Sequence, residues 1–139
     1  MSMTDFKKNI IEILSQTVEA GAEGVVVVSP SGFPVLSYGA IDESDREAAT
    51  VFSVSLTNLS LDEEFSNNLS FLLGKKATIG TPWISGLGFR YGGSFYIGAY
   101  VRGYSLLAVL EKVEKVSSVR AALMRSVGSI VTLFGEIAM

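Results

Sequence analysis

The chain contains no cysteine and no histidine. Without cysteine there is no disulfide framework, no thiolate metal site and no thiol nucleophile. Without histidine it lacks the side chain most used for proton transfer near neutral pH, and the commonest metal ligand. Proline occurs only three times, and charged residues make up 18% of the chain against 48% hydrophobic ones. That balance is the opposite of a disordered chain. No uninterrupted apolar run reaches the roughly 18 residues of a membrane span. The polar start from Met1 to Lys8 is unlike a signal peptide. The expectation is a soluble, cytoplasmic protein with no transmembrane segment, in which the glycosylation sequons at Asn58 and Asn68 are chance matches.

What is present suits one domain covering residues 1–139. A chain of this mass folds to about 7,000 Å² of surface from about 21,000 Å² unfolded, enough burial for a core without staples. So few charges on so much apolar material also suggest that a partner covers part of the surface. The charge is unevenly spread. Residues 41–64 hold one arginine against seven acids, whereas residues 65–139 hold eight bases against three acids. These are two solvated faces or two surfaces for partners. The bases are scattered and the net charge is −3, so a nucleic-acid role is not expected.

Between Thr4 and Ala20, apolar residues Phe6, Ile10, Ile13 or Leu14, and Thr17 or Val18 recur at helical spacing. Thr4 suits the N-cap, Asp5 the positive helix end, and Gly21 the stop. Gly24 to Ser29 is a β-branched run without alternation, as in a central strand buried on both faces. Pro30-Ser31-Gly32 is turn chemistry, and the strand from Phe33 to Tyr38 contains Pro34, which belongs at a sheet edge or strand start. Ser44-Asp-Arg-Glu47 matches a capping box and predicts a second helix starting near Asp45, with Ala48, Phe52, Leu56 and Leu59 on one face. A similar box at Ser60-Leu-Asp-Glu63 precedes a new stripe of Leu61, Phe65, Leu69 and Leu72. The stripe changes face between Leu59 and Leu61, so two helices, or one bent near Ser60, would bury both; the break is expected.

From Gly74 to Gly103 lie eight of the fourteen glycines. Trp83, Ser85, Leu87, Phe89 and Tyr91 alternate with smaller or charged residues, giving a strand with one bulky face. Gly92-Gly93 signals a tight hairpin. Phe95 to Arg102 alternates again, and Tyr104 to Leu110 is apolar on both faces. These are three strands in a meander. The last segment carries Val116, Val119, Leu123, Val127, Ile130 and Phe134 as a helical stripe that Ser117 or Ser118 can cap. Gly128 inside it costs about 1 kcal/mol relative to alanine, for which close packing on the sheet is the expected reason.

No motif carries catalysis. Gly74-Lys75-Lys76 lacks the upstream glycine and the hydroxyl of a phosphate loop, and Gly86-x-Gly88 lacks a dinucleotide setting. Asp42/Glu43 and Asp62/Glu63/Glu64 fit solvated helix starts, where no burial shifts a pKa towards acid–base work. No Gly-x-Ser-x-Gly is present, and a serine nucleophile would have only lysine or a carboxylate as its base. No enzyme activity, metal or cofactor is expected.

The aromatic, glycine-rich strand has no sequential neighbour on its outer side. An edge bearing Trp83, Leu87, Phe89 and Tyr91, with Arg90 its only charge, invites pairing. Self-pairing across a twofold axis would join two sheets. The expected interface is Trp83, Ser85, Leu87, Phe89 and Tyr91 on the strand, with Phe52, Leu56 and Leu59 on the second helix.

The glycine and valine run, Pro-Ser-Gly and short strand over residues 23–38 resemble the opening hairpin of the roadblock/LC7 family. The strand Tyr104-Ser-Leu-Leu-Ala-Val-Leu110, followed by a helix with Val119-Arg120 and a stripe to Phe134, is similar to that family's ending. The element order matches over nearly the whole chain, although the stretch from Leu61 to Pro82 is longer than the family pattern. The resemblance implies an α+β fold: a five-stranded antiparallel sheet of order 2-1-5-4-3, with the first and last helices on one face and the second on the other. It also implies homodimers or heterodimers joined through the third strands, with the second helices stacked. Such domains bind Ras-like small GTPases as activators or scaffolds, or serve as motor light chains. Their activators act by biasing the GTPase's own switch regions, so no catalytic residue is carried over, and Arg90 and Arg102 are not assigned as fingers. For this chain Asp42, Glu43, Asp62 and Glu63, or the second-helix face, would be the docking surface. Two alternatives stay open: a small-molecule sensor with a pocket lined by Tyr96, Tyr100 and Trp83, and a structural adaptor subunit of a motor or assembly.

Overall fold

The computed structural model of the chain describes residues 3–59, 62–76, 84–101 and 103–138. Expectations resting on Ser60, Leu61, Pro82, Trp83 and Arg102 lie outside these. The elements run α1 (Met3–Glu19), β1 (Gly24–Val28), β2 (Pro34–Gly39), α2 (Glu43–Leu59), α3 (Glu63–Leu73), β3 (Ile84–Tyr91), β4 (Ser94–Val101), β5 (Tyr104–Leu110) and α4 (Val116–Ala138). The strands form one sheet in the order β2-β1-β5-β4-β3, every pair antiparallel. The expected topology therefore holds.

The sheet has a core on each face because its central strands are apolar on both. Every residue of β1 is buried. Val25 and Val27 join Ile97, Ala99, Leu106 and Ala108 beneath α1 and α4, whose stripes supply Ile10, Leu14, Leu123 and Ile130. Val26 and Val28 join Tyr96, Tyr100, Leu107 and Val109 beneath α2, which supplies Ala48, Ala49, Phe52 and Leu56. Pro34 opens β2 at the outer edge, where its missing N–H leaves no bond unmade. Gly92 and Gly93 join β3 to β4 in a two-residue turn with φ of +58° and +89°, the positive values that a tight hairpin demands.

Several local expectations are corrected. α1 begins at Met3, so Thr4 lies in its first turn instead of at its cap. α2 begins at Glu43, two residues before the expected start. Its capping box is Asp42 with Asp45: the Asp45 N–H donates to Asp42 Oδ1 at 2.9 Å, and the Asp42 N–H donates to Asp45 Oδ2 at 3.0 Å. Ser44 and Glu47 consequently fall inside the helix. A 3₁₀ turn, Val113–Lys115, leads straight into α4. Ser118 therefore lies within that helix, and its hydroxyl donates to the Ala20 carbonyl at 2.7 Å, tying α4 to the end of α1. Gly128 is exposed, and a Cβ there would meet nothing within 4 Å, so no contact with the sheet explains it. α2 and α3 are separate helices, with Asp62 extended ahead of α3. Yet α3 buries none of its residues, so Phe65 and Leu72 stand exposed where a second packed face was expected.

Candidate interaction surface

β3 pairs with β4 alone, so among the described residues its outer row of backbone N–H and C=O groups has no partner strand. Such an edge is a template for another strand unless something blunts it. The register slips by one residue between Ile84 and Leu87. The alternation expected along the whole strand accordingly holds only from Leu87 to Tyr91, and Ser85 sits within the slip.

α2 lies chiefly over β1, β5 and β4, and its side chains reach β3 as well. Central to this packing is Phe52. Its ring rests on Gly98 of β4, where an added Cβ would come within 2.5–2.8 Å of three ring carbons. Only glycine allows so close an approach. Phe52 then stacks on Phe89 at 5.7 Å between centroids, and Phe89 on Tyr96 at 5.4 Å. This aromatic row ties β3 to α2 at one level and leaves an open groove of about 250 Å³ between them. Phe52 and Leu56 floor the groove, and Val51, Leu87 and Tyr91 stand on its rims.

This changes how the expected interface residues are used. Phe52 is only 5% exposed and Leu56 is buried, because the stripe that marks the helix is the stripe facing the sheet. Leu59 is half-buried. The apolar side chains α2 turns outwards are Val51, 53% exposed, and Val54, neither singled out by the helical pattern. On β3, Leu87 is 45% exposed, Tyr91 is exposed and Phe89 is half-buried. The position beside an apolar stripe, i−1 from Phe52 or i+2 from it, was the available signal for the two valines.

Three hydroxyls fix α2 to the sheet. The Tyr96 hydroxyl donates to Asp45 Oδ1 at 2.7 Å inside the core. Burial, then this carboxylate, pushes the Tyr96 phenol up to about 12. The Tyr100 hydroxyl pairs with Thr57 Oγ1 at 2.9 Å. At the groove mouth the Tyr91 hydroxyl donates to Glu47 Oε1 at 2.7 Å, and that hydrogen bond raises the Tyr91 pKa. Tyr96 and Tyr100 are thus core residues with satisfied hydroxyls, not the lining of a ligand pocket.

The four acids expected to dock a partner are not brought together. Asp42 caps α2 and Asp62 caps α3, its Oδ1 accepting from the Phe65 N–H at 3.1 Å. Glu43 stands in solvent with Arg46 at 3.6 Å. The pairs Asp42/Glu43 and Asp62/Glu63 flank the 17-residue α2, about 25 Å of helix apart. Among the described residues no three acidic side chains stand close enough to hold a metal ion.

No protein-family model matches the chain, and no curated protein matches its sequence. Solved structures do. MglB of Myxococcus xanthus superposes with a TM-score of 0.61 at 14% identity, over 92% of this chain and 96% of that one. A structure described as MglB with tetrameric arrangement gives 0.66 at 13%, over 94% and 91%. A roadblock/LC7 domain from Streptomyces avermitilis gives 0.57 at 12%, over 89% and 96%.

The chain has the roadblock/LC7 fold.

Within a roadblock/LC7 fold the open β3 edge and the groove beside α2 lie on one side of the molecule, continuous with each other. The chain exposes 8133 Å² in all, on the order of 1,100 Å² more than a compact monomer of its mass.

Proposed function

We propose that the chain is a non-enzymatic regulator or scaffold that works as a homodimer and binds a Ras-like small GTPase. The observation that carries the reading is the unpaired β3 edge, with Leu87 and Tyr91 half-open beside α2. A second copy pairing antiparallel along β3 would complete the backbone hydrogen bonds and extend the sheet from five strands to ten. The twofold axis would bring the two α2 helices side by side over the seam. Leu87 and Tyr91 would be covered, with Phe52 and Leu56 as the floor beneath and Val51 left at the rim. The similarity to a tetrameric MglB supports a surface built for self-association.

The paired helices would leave Val54 outward on each copy, flanked by Asp42 and Glu43 at one end and Asp62 and Glu63 at the other. An apolar ridge with acidic ends fits a partner surface that is apolar at its centre and basic around it. The GTPase link comes from the roadblock resemblance and the similarity to MglB. With no histidine or cysteine, and with the one buried carboxylate among the described residues tied to Tyr96, the chain would act on such a partner by holding one of its conformations. The test is capture of small GTPases from the source organism, loaded with GDP or a GTP analogue, with GTP turnover measured alongside. Binding that prefers one nucleotide state is expected. No capture in either state refutes the reading.

A further inference from the structure

Neither the core nor the proposed seam uses α3. The helix is properly ended, by the Asp62 cap and by Gly74 at φ +72°, but it buries none of its residues. Phe65, Leu69, Leu72 and Leu73 share one face by their spacing. Phe71 is 85% and Leu72 80% exposed, with Phe65 and Leu73 exposed as well. Eleven residues are too few for a helix to be stable in water unaided, and helices of this length are normally held by a buried face. On that face Phe65, Leu72 and Leu73 expose on the order of 350 Å² of apolar area, against about 800 Å² buried by each partner of a standard interface.

The place of α3 in the chain says what covers it. It is the segment joining α2 to β3, the two elements of the seam. Antiparallel pairing of β3 with its copy sets the Ile84 end of one strand beside the Tyr91 end of the other. The chain leading from α3 therefore enters the sheet next to the partner's hairpin and groove mouth. Only ten residues, 74–83, make that link, a reach of at most about 35 Å. Residues 65–74 carry no charge, so no ionic partner is called for. The acids at 62–64 would be repelled by an anionic lipid surface.

We propose that α3 is a dimer arm whose Phe65–Leu69–Leu72–Leu73 face packs on a second copy of this chain, against the outward Val51 of its α2. The arm rests on the seam reading and adds to it a contact in which each copy clasps the other. The variant Leu72→Ser/Leu73→Ser removes exposed side chains, so each chain keeps its fold and circular dichroism. The expected result by sedimentation equilibrium is a dimer dissociation constant at least tenfold higher than that of the unaltered chain. An unaltered chain that dimerises with a constant the double variant shares overturns the arm and leaves the seam standing; an unaltered chain that stays monomeric overturns both. Because the chain has no cysteine, separately tagged Val51→Cys and Leu72→Cys proteins can be mixed and oxidised. A disulfide-linked pair carrying both tags is expected, and its absence overturns the placement on α2. Cosedimentation with phosphatidylglycerol vesicles that is lost in the double variant would assign α3 to lipid and overturn the arm.

Discussion

Replacing Gly98 by alanine should test the packing that shapes the groove. The new Cβ would lie 2.5–2.8 Å from three carbons of the Phe52 ring, so the ring must withdraw by about 1 Å to restore normal contact. It cannot slide freely, because Phe89 stacks on it at 5.7 Å and Phe89 in turn on Tyr96. Overpacking of this kind costs about 1–3 kcal/mol. Alanine regains about 0.5–1 kcal/mol by restricting the unfolded chain, so the net loss should be about 1–2 kcal/mol. In urea melts this appears as a lower midpoint at unchanged slope. Phe52→Leu alone should also destabilise, by about 1–2 kcal/mol, through the space it leaves. In the double variant the smaller side chain accepts the new methyl, so the combined loss should fall short of the sum by about 1 kcal/mol. Additive losses, or a Gly98→Ala chain as stable as the original, would refute the claim that this contact sets the distance between α2 and the sheet.

Three other outcomes follow from the same contacts. The Tyr96 phenol is pushed up to about 12, above its unfolded value near 10, so the fold favours the neutral form. Its contribution, on the order of 2 kcal/mol, should be complete below pH 10 and lost as the pH rises from 10 through 12. Tyr96→Phe should flatten that alkaline decline in a pH series of melts, while lowering stability at pH 7 by leaving Asp45 short of a donor. Asp42→Ala should cost about 1 kcal/mol in global stability, because it uncaps a helix packed on the core. Asp62→Ala should cost under about 0.5 kcal/mol globally, since α3 buries nothing, but should speed amide exchange through α3.

Much of the fold was legible because the strands differ in kind. The valine run of β1 and the apolar β5 carry no alternation, which places both inside the sheet, and Pro34 marks β2 as an edge. The paired glycines at 92 and 93 fix the last hairpin, leaving β3 outermost. The local errors have physical causes. Asp42-x-x-Asp45 and Ser44-x-x-Glu47 are overlapping boxes of similar quality, and the hydroxyl of Tyr96, 51 positions away in the chain, reaches Asp45 and favours the first. A helical stripe shows that a helix forms, but not what its apolar face meets. Phe52 and Leu56 therefore read as interface although Gly98 draws them onto the sheet, and α3 read as packed although it buries none of its residues. The slip between Ile84 and Leu87 leaves no mark in a pattern that alternates on both sides of it.

The open β3 edge as a site of self-pairing is tested most directly by sedimentation velocity at micromolar concentration, on the unaltered chain and on Leu87→Lys. Leu87 is half-exposed on the edge, so the lysine should leave the fold intact while placing two like charges at the seam. The account predicts twice the chain mass for the first protein and the single chain mass for the second. A monomeric unaltered chain, or a dimer that the lysine does not weaken, would contradict it.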